Sequence, residues 1–214
     1  MVHVLAASGA EIAFIALGIA VGILAIAALW LMATYNGLVS RRVRVQNGFA
    51  QIDVQLRRRH DLVPNLVSTV KGYMAHEQST LEAVTRARAA AVTAQQALVG
   101  TPGDALATQA LASAEGALQQ ALGRMTLLME RYPELKANQN ALQLQEELVT
   151  TENRIAFARQ AYNDAVMAYN TKLQVFPDML VARMFSFVAA GLFETDDASR
   201  AVPEVRFAGA PDRA

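Results

Sequence analysis

Two histidine–acid pairs are the places where this sequence could do chemistry. His60 precedes Asp61, and His76 precedes Glu77. Imidazole and carboxylate groups together suit a metal-dependent hydrolase, but such a site needs several ligands converging on one ion. The chain has three histidines, and the third, His3, lies beyond a long apolar run. The plainer reading is that Asp61 caps a helix opening at Pro64, while His60 packs or faces solvent. His76-Glu77 begins like H-E-x-x-H, but Thr80 stands where the second zinc ligand is required. No G-x-S-x-G, P-loop or G-x-G-x-x-G motif is present, and cysteine is absent. The sequence therefore predicts no catalytic set, no metal site and no cofactor. A divergent hydrolase using His60, Asp61, His76 and Glu77 is the minor alternative.

The remaining chemistry is charge. Lys and Arg balance Asp and Glu, 19 against 19, which gives no electrostatic case for nucleic acid or an acidic substrate. Two basic clusters stand out. Arg41, Arg42 and Arg44 follow the apolar run and suit anionic headgroups. Arg57, Arg58 and Arg59 would lie about 20–40 Å below the membrane surface on a continuous helix. That exceeds a Debye length of about 8 Å, so direct lipid attraction is weak there. Ion pairs with acidic residues of neighbouring helices are the bland reading of this triplet. A docking surface for a protein partner or another copy is the functional one.

The elements that must carry these residues begin with the apolar run. No charged side chain falls between Glu11 and Arg41. A bilayer's hydrocarbon core, about 30 Å thick, needs about 20 apolar residues at 1.5 Å each, so residues 12–34 read as a single span. The run is too long for a signal peptide and lacks the basic start. Positive charge follows it and none precedes it, which places residues 1–11 outside and everything from 35 on in the cytoplasm. Trp30 and Tyr35 suit the inner interface, and Gly18 and Gly22 form a weak small-xxx-small pair.

Beyond the span the periodicity is helical throughout. Leu38, Val45, Phe49, Ile52 and Leu56 form one stripe, which predicts a first helix continuous to about Leu62. Pro64 predicts a break and a second helix from there to Val99. Gly100-Thr-Pro-Gly-Asp104 marks a loop in which Thr101 or Asp104 caps a third helix reaching Glu130. Pro133 opens a fourth, whose stripe is Ile155, Ala158, Tyr162, Val166, Tyr169, Leu173 and Phe176. A shorter apolar segment, residues 179–192, reads as a helix on the bundle or near the membrane surface. Residues 194–214 read as a loose tail. The fold class is all-α: an N-terminal transmembrane helix continuing into a cytoplasmic antiparallel four-helix bundle over residues 35–193.

Several motifs in this chain resemble the LemA family. They are Tyr35-Asn-Gly-Leu-Val39, Arg42, Gln51-Ile-Asp-Val-Gln-Leu-Arg-Arg-Arg-His-Asp-Leu-Val-Pro-Asn-Leu-Val67, Val70-Lys-Gly-Tyr73 and His76-Glu77. Farther on come Tyr132-Pro-Glu-Leu-Lys136, Gln145-Glu-Glu-Leu148, Glu152-Asn-Arg-Ile155, Ala158-Arg159, Tyr162-Asn163, Tyr169-Asn-Thr171, Phe176-Pro177 and Phe193-Glu194. The run over 51–67 is the specific part. Gly48-Phe49 stands where the family commonly has Ala-Trp, and Ser186 where Gly is usual. The tail after Glu194 shows no resemblance. The resemblance implies a single-span bacterial membrane protein with a cytoplasmic helical bundle, in a family one branch of which is associated with building magnetosome membranes.

The function expected is a non-enzymatic, membrane-tethered scaffold or adaptor at the bacterial inner membrane. Its partners are the lipid bilayer, an unidentified membrane or cytoplasmic protein, and other copies of itself; nucleic acid and small-molecule substrates are not expected. Lateral assembly that shapes membrane, with the basic flank and the aromatic C-terminal segment pressed on lipid, is the alternative.

Overall fold

The computed structural model describes residues 9–194, with side chains from residue 11 onward. The expected outer N-terminus, His3 and the tail therefore lie wholly or mostly outside the described residues. Every element among them is helical: α1 (Gly9–Lys71), α2 (Gln78–Val99), α3 (Ala105–Met129), α4 (Pro133–Ala137), α5 (Gln139–Gln174) and α6 (Asp178–Met184). At 1.5 Å per residue the 63 residues of α1 make a rod about 95 Å long. Its first half is apolar and exposed, and its second half is core.

The helix partners follow from side-chain contacts. Along α1, Gly37 lies near Lys172, Gly48 against Tyr162, and Arg58 pairs with Glu147, so α5 runs opposite to α1. Arg88 meets His60 and Gln95 meets Asp53, so α2 also runs opposite to α1. α1 and α5 approach closely at Gly48, where a Cβ would stand 3.2 Å from Tyr162 Cα.

Pro64 does not break the first helix, contrary to expectation; α1 runs through it to Lys71. Proline removes the N–H that would bond the carbonyl of residue 60. Arg88 of α2 replaces it, donating Nε–H to the His60 carbonyl at 2.6 Å. The orphaned acceptor is satisfied from a neighbouring helix, and α1 gains a crosslink to α2. Asp61 consequently caps nothing and sits exposed in mid-helix. Replacing Arg88 by Met should lower stability by about 1–3 kcal/mol, because the half-buried carbonyl loses its donor. Introducing Pro64→Ala first restores the helical bond, and the Arg88→Met cost should then shrink. A four-variant denaturation cycle measures this coupling, and equal Arg88→Met costs in both backgrounds would refute it.

Two further boundaries differ from the sequence reading. Asp104 does cap α3, accepting from the Ala107 amide at 2.8 Å. The fourth helix, however, is split. After one turn of α4 the backbone turns extended at Asn138, whose side chain accepts from the Asn140 and Ala141 amides and starts α5 afresh. The apolar segment 179–192 is helical only to Met184. Ser186 has φ +54, and the amides of Ser186 and Phe187 bond the carbonyls of Arg183 and Ala182. This is the left-handed helix stop that glycine adopts at least cost. Ser186→Gly should therefore stabilise the fold by about 1 kcal/mol, read by chemical denaturation.

Candidate functional site

The core is two apolar clusters with a polar layer between them. One holds Val45, Phe49, Ile52 and Leu56 of α1 with Leu111, Ile155 and Tyr162. The other holds Val63, Leu66 and Val70 with Val84, Leu118 and Met125. Between Leu56 and Val63 lie Arg59 and His60, 2% and 3% exposed, facing Glu115 of α3 at 4%. Arg59 Nη1 stands 3.1 Å from Glu152 and 3.3 Å from Glu115. His60 Nε2 lies 2.8 Å from the other Glu115 oxygen, suited to donate a hydrogen bond to it. Arg159 shares this field: burial lowers its pKa first, Glu152 opposes that, and Arg59 lowers it further. Its guanidinium also stands 5.1 Å over the Phe193 ring. With Arg88 on the His60 carbonyl, all four long helices meet in this layer.

The two guanidinium groups of Arg59 and Arg159 lie among the two carboxylates of Glu115 and Glu152, with the His60 ring on the remaining Glu115 oxygen. Ionised groups taken out of water in this way hold only while paired, because an unpaired one costs several kcal/mol. The arrangement fixes which helix faces which, and in what register.

The sequence-derived residues are distributed as follows. Of the docking triplet, Arg59 is buried and offers no surface, which corrects that assignment; three consecutive helical residues point 100° apart, so one of them turned inward. Arg57 is exposed and pairs with Asp53 of its own helix at 2.8 Å, and Arg58 pairs with Glu147 at 3.5 Å. Arg41 donates to the Ala168 carbonyl at 3.2 Å, while Arg42 and Arg44 are exposed. The four hydrolase candidates do not converge. His60 is engaged with Glu115, Asp61 and His76 are exposed, and Glu77 accepts from the Tyr132 hydroxyl at 3.4 Å. About 15 Å of helix separates His60 from Val70, where the chain leaves for His76. The metal-hydrolase reading does not stand on these residues.

Sequence reasoning missed Glu115, Glu152 and Arg88 as members of the layer, and it missed the strap. After α6 the chain returns along α5 in irregular conformation. The Tyr169 hydroxyl donates to the Val188 carbonyl at 3.0 Å, and Tyr162 does the same for Gly191 at 2.9 Å. Asn170 takes both the amide and the carbonyl of Ala190, and Asn163 both of Phe193. The two Tyr-Asn pairs stand seven residues apart, so one face of α5 supplies these side-chain bonds, while the Gly191 amide donates to the Gly103 carbonyl at 3.0 Å. Gly191 fits because a Cβ there would lie 2.5 Å from Ala105 Cα.

Comparison with known proteins bears on the whole of this architecture. The family model described as LemA family matches residues 48–207. It starts inside the resemblance read from the sequence and extends past Glu194, which corrects the reading of the tail as unmatched. The chain is 28% identical over 179 residues to "Magnetosome protein MamQ 2" of Paramagnetospirillum magneticum, covering 77% of this chain and 66% of that protein. It is 27% identical over 172 residues to "Magnetosome protein MamQ" of Magnetospirillum gryphiswaldense, covering 73% and 63%. It is 24% identical over 165 residues to "Protein LemA" of Metamycoplasma hominis, covering 77% and 71%. The chain thus spans a little under two thirds of the MamQ relatives. With the model matched from Gly48 through the polar layer and the strap, the chain belongs to the LemA family.

Proposed function

We propose that this protein is a non-catalytic scaffold or adaptor held at the bacterial cytoplasmic membrane by a single span, residues 12–34. An antiparallel four-helix bundle of α1, α2, α3 and α5 hangs from it in the cytoplasm, and the short N-terminus lies outside. One observation carries this reading. Every side chain from Glu11 to Trp30 is exposed in a helix that continues without interruption into the core of the folded domain. A core helix of a soluble protein would bury one face, and this segment buries none of its apolar surface against the protein. The basic residues Arg41, Arg42 and Arg44 on the domain side support the orientation. The buried Arg59, His60 and Glu115 of the polar layer are engaged with one another and with Glu152 at its edge, which suits a structural role. Arg57 and Arg58 remain on the surface as candidate docking residues.

Crosslinking in intact cells, followed by solubilisation and mass spectrometry, tests the scaffold role. The expected product is a higher oligomer of the chain or a complex with a membrane or cytoplasmic protein. Recovery of the isolated monomer alone would refute it. A carboxyl-terminal tag should resist protease added outside intact spheroplasts, and its digestion would refute the orientation. The relatives named as magnetosome proteins favour a second reading, lateral assembly that organises or shapes membrane. Purified protein that left anionic liposomes unchanged in shape, with no surface assembly, would exclude it.

A further inference from the structure

We propose that the elbow between α5 and α6, residues 175–177, enters the cytoplasmic leaflet together with the outer face of α6 and gives the domain a second lipid contact beside the span. This rests on the reading of residues 12–34 as a span.

The elbow's depth follows from what it touches. The Thr34 hydroxyl donates to Asp178 at 3.3 Å. Val181 and Ala182 are buried with Leu38, and Leu31 packs on the same cluster. The Tyr35 ring meets Phe185 and Phe187 edge-on, with centroids 4.8 and 5.7 Å apart. α6 and the turn after it thus grip α1 between Leu31 and Leu38, which fixes the depth of the elbow that leads into α6. If the hydrocarbon begins at Ile12, about 30 Å of helix brings it to Met32, so the grip lies from the hydrocarbon edge to about 9 Å beyond. Because α5 runs opposite to α1, its end points at the membrane, and Phe176 is the tip.

The surface presented at that depth suits lipid. On α6, Leu180 and Met184 are four apart on one stripe and are 52% and 60% exposed, and Phe176 in the elbow before it is 73% exposed. Val181 and Ala182, turned toward Leu38 of α1, are 1% and 3% exposed. The one carboxylate in 175–188, Asp178, is turned inward and held by Lys172 and Thr34. Arg183, exposed beside the stripe, is the charge left to face headgroups. An apolar stripe bordered by a cation, with its acid neutralised, is the pattern of an interfacial element.

The chain contains no cysteine, so single labels can be placed in the full-length protein. Leu180→Cys and Met184→Cys, each carrying an environment-sensitive fluorophore, are reconstituted into phosphatidylcholine–phosphatidylglycerol vesicles. Ile23→Cys serves as the mid-span control and Val149→Cys as the water-facing control. The expected result is loss of emission at 180 and 184 with lipids bearing a nitroxide high on the acyl chain, a blue shift, and protection from aqueous iodide. Val149→Cys should respond to iodide alone. Emission at 180 and 184 that follows Val149→Cys, while a deep nitroxide quenches Ile23→Cys, overturns the elbow and leaves the span standing. Protection from both quenchers means that protein covers the stripe and also overturns it. Failure of the deep nitroxide at Ile23→Cys overturns the span itself.

Discussion

Glu115→Leu should cost about 3–5 kcal/mol of stability, more than any other single change in the polar layer, because it strands two buried partners at once. Arg59 keeps only Glu152 at 3.1 Å, and His60 loses its acceptor at 2.8 Å. The leucine cannot recover this by packing, since the hole it fills is lined by a guanidinium and an imidazole. Glu115→Gln keeps the shape and one acceptor oxygen and should cost less. The discriminating variant is the triple replacement Arg59→Met, His60→Leu and Glu115→Leu. It removes most of the charge along with its partner and should regain much of the stability lost by Glu115→Leu alone. Thermal unfolding of the full chain in detergent, followed by circular dichroism, reads the difference; about 2–4 °C accompanies each kcal/mol at this size. A loss under about 1 kcal/mol for Glu115→Leu would mean that the layer is open to water.

The layer's members went unread although the spacing of the stripes passes through three of them. The stripe Val45, Phe49, Ile52, Leu56 does not stop there: carried on at alternating three and four it passes through Arg59, Val63, Leu66 and Val70. Arg59 therefore occupies a core position by spacing alone. On α3, Leu111, Glu115, Leu118 and Met125 say the same of Glu115, and on α2, Leu81, Val84, Arg88 and Ala91 say it of Arg88. The stripe on α1 was cut short because Pro64 demanded a break. The bond from Arg88 that rescues the His60 carbonyl comes from a residue 28 positions away, and no local pattern records it. The long helices, the Asp104 cap and the 100–104 loop were readable because each is decided by residues within one turn. Residues 187–194 were not. An irregular segment has no period, and what holds it is a ladder of side chains on another helix. The exposed apolar run was readable for the opposite reason: its length and lack of charge suffice.

Removing Asn170 is the most direct way to release that segment. Asn170 accepts from the Ala190 amide at 2.9 Å and donates to its carbonyl at 2.8 Å. A leucine there keeps the branched outline and leaves both backbone groups unpaired against the protein. With a cost of about 1–3 kcal/mol for each stranded group, partly relieved by water, Asn170→Leu should destabilise by about 2–4 kcal/mol. Asn170→Asp keeps the acceptor and sets a carboxylate against a carbonyl, so it should recover little. Amide hydrogen exchange at Ala190 and Phe193 should quicken before the core helices respond, since Asn170 holds Ala190 directly and the strap has no helical ladder of its own. The tyrosines of the same ladder give the strap a pH limit. Burial raises the pKa of both Tyr162 and Tyr169 above the ordinary value of about 10. The folded state thus favours the protonated hydroxyls that donate to Gly191 and Val188. Their contribution is intact below about pH 10 and is lost as pH rises through the raised values. In Tyr162→Phe/Tyr169→Phe the stability is lower at neutral pH, but its fall above pH 10 flattens. An identical alkaline fall in the parent and the double variant would show that the ladder does not set that limit.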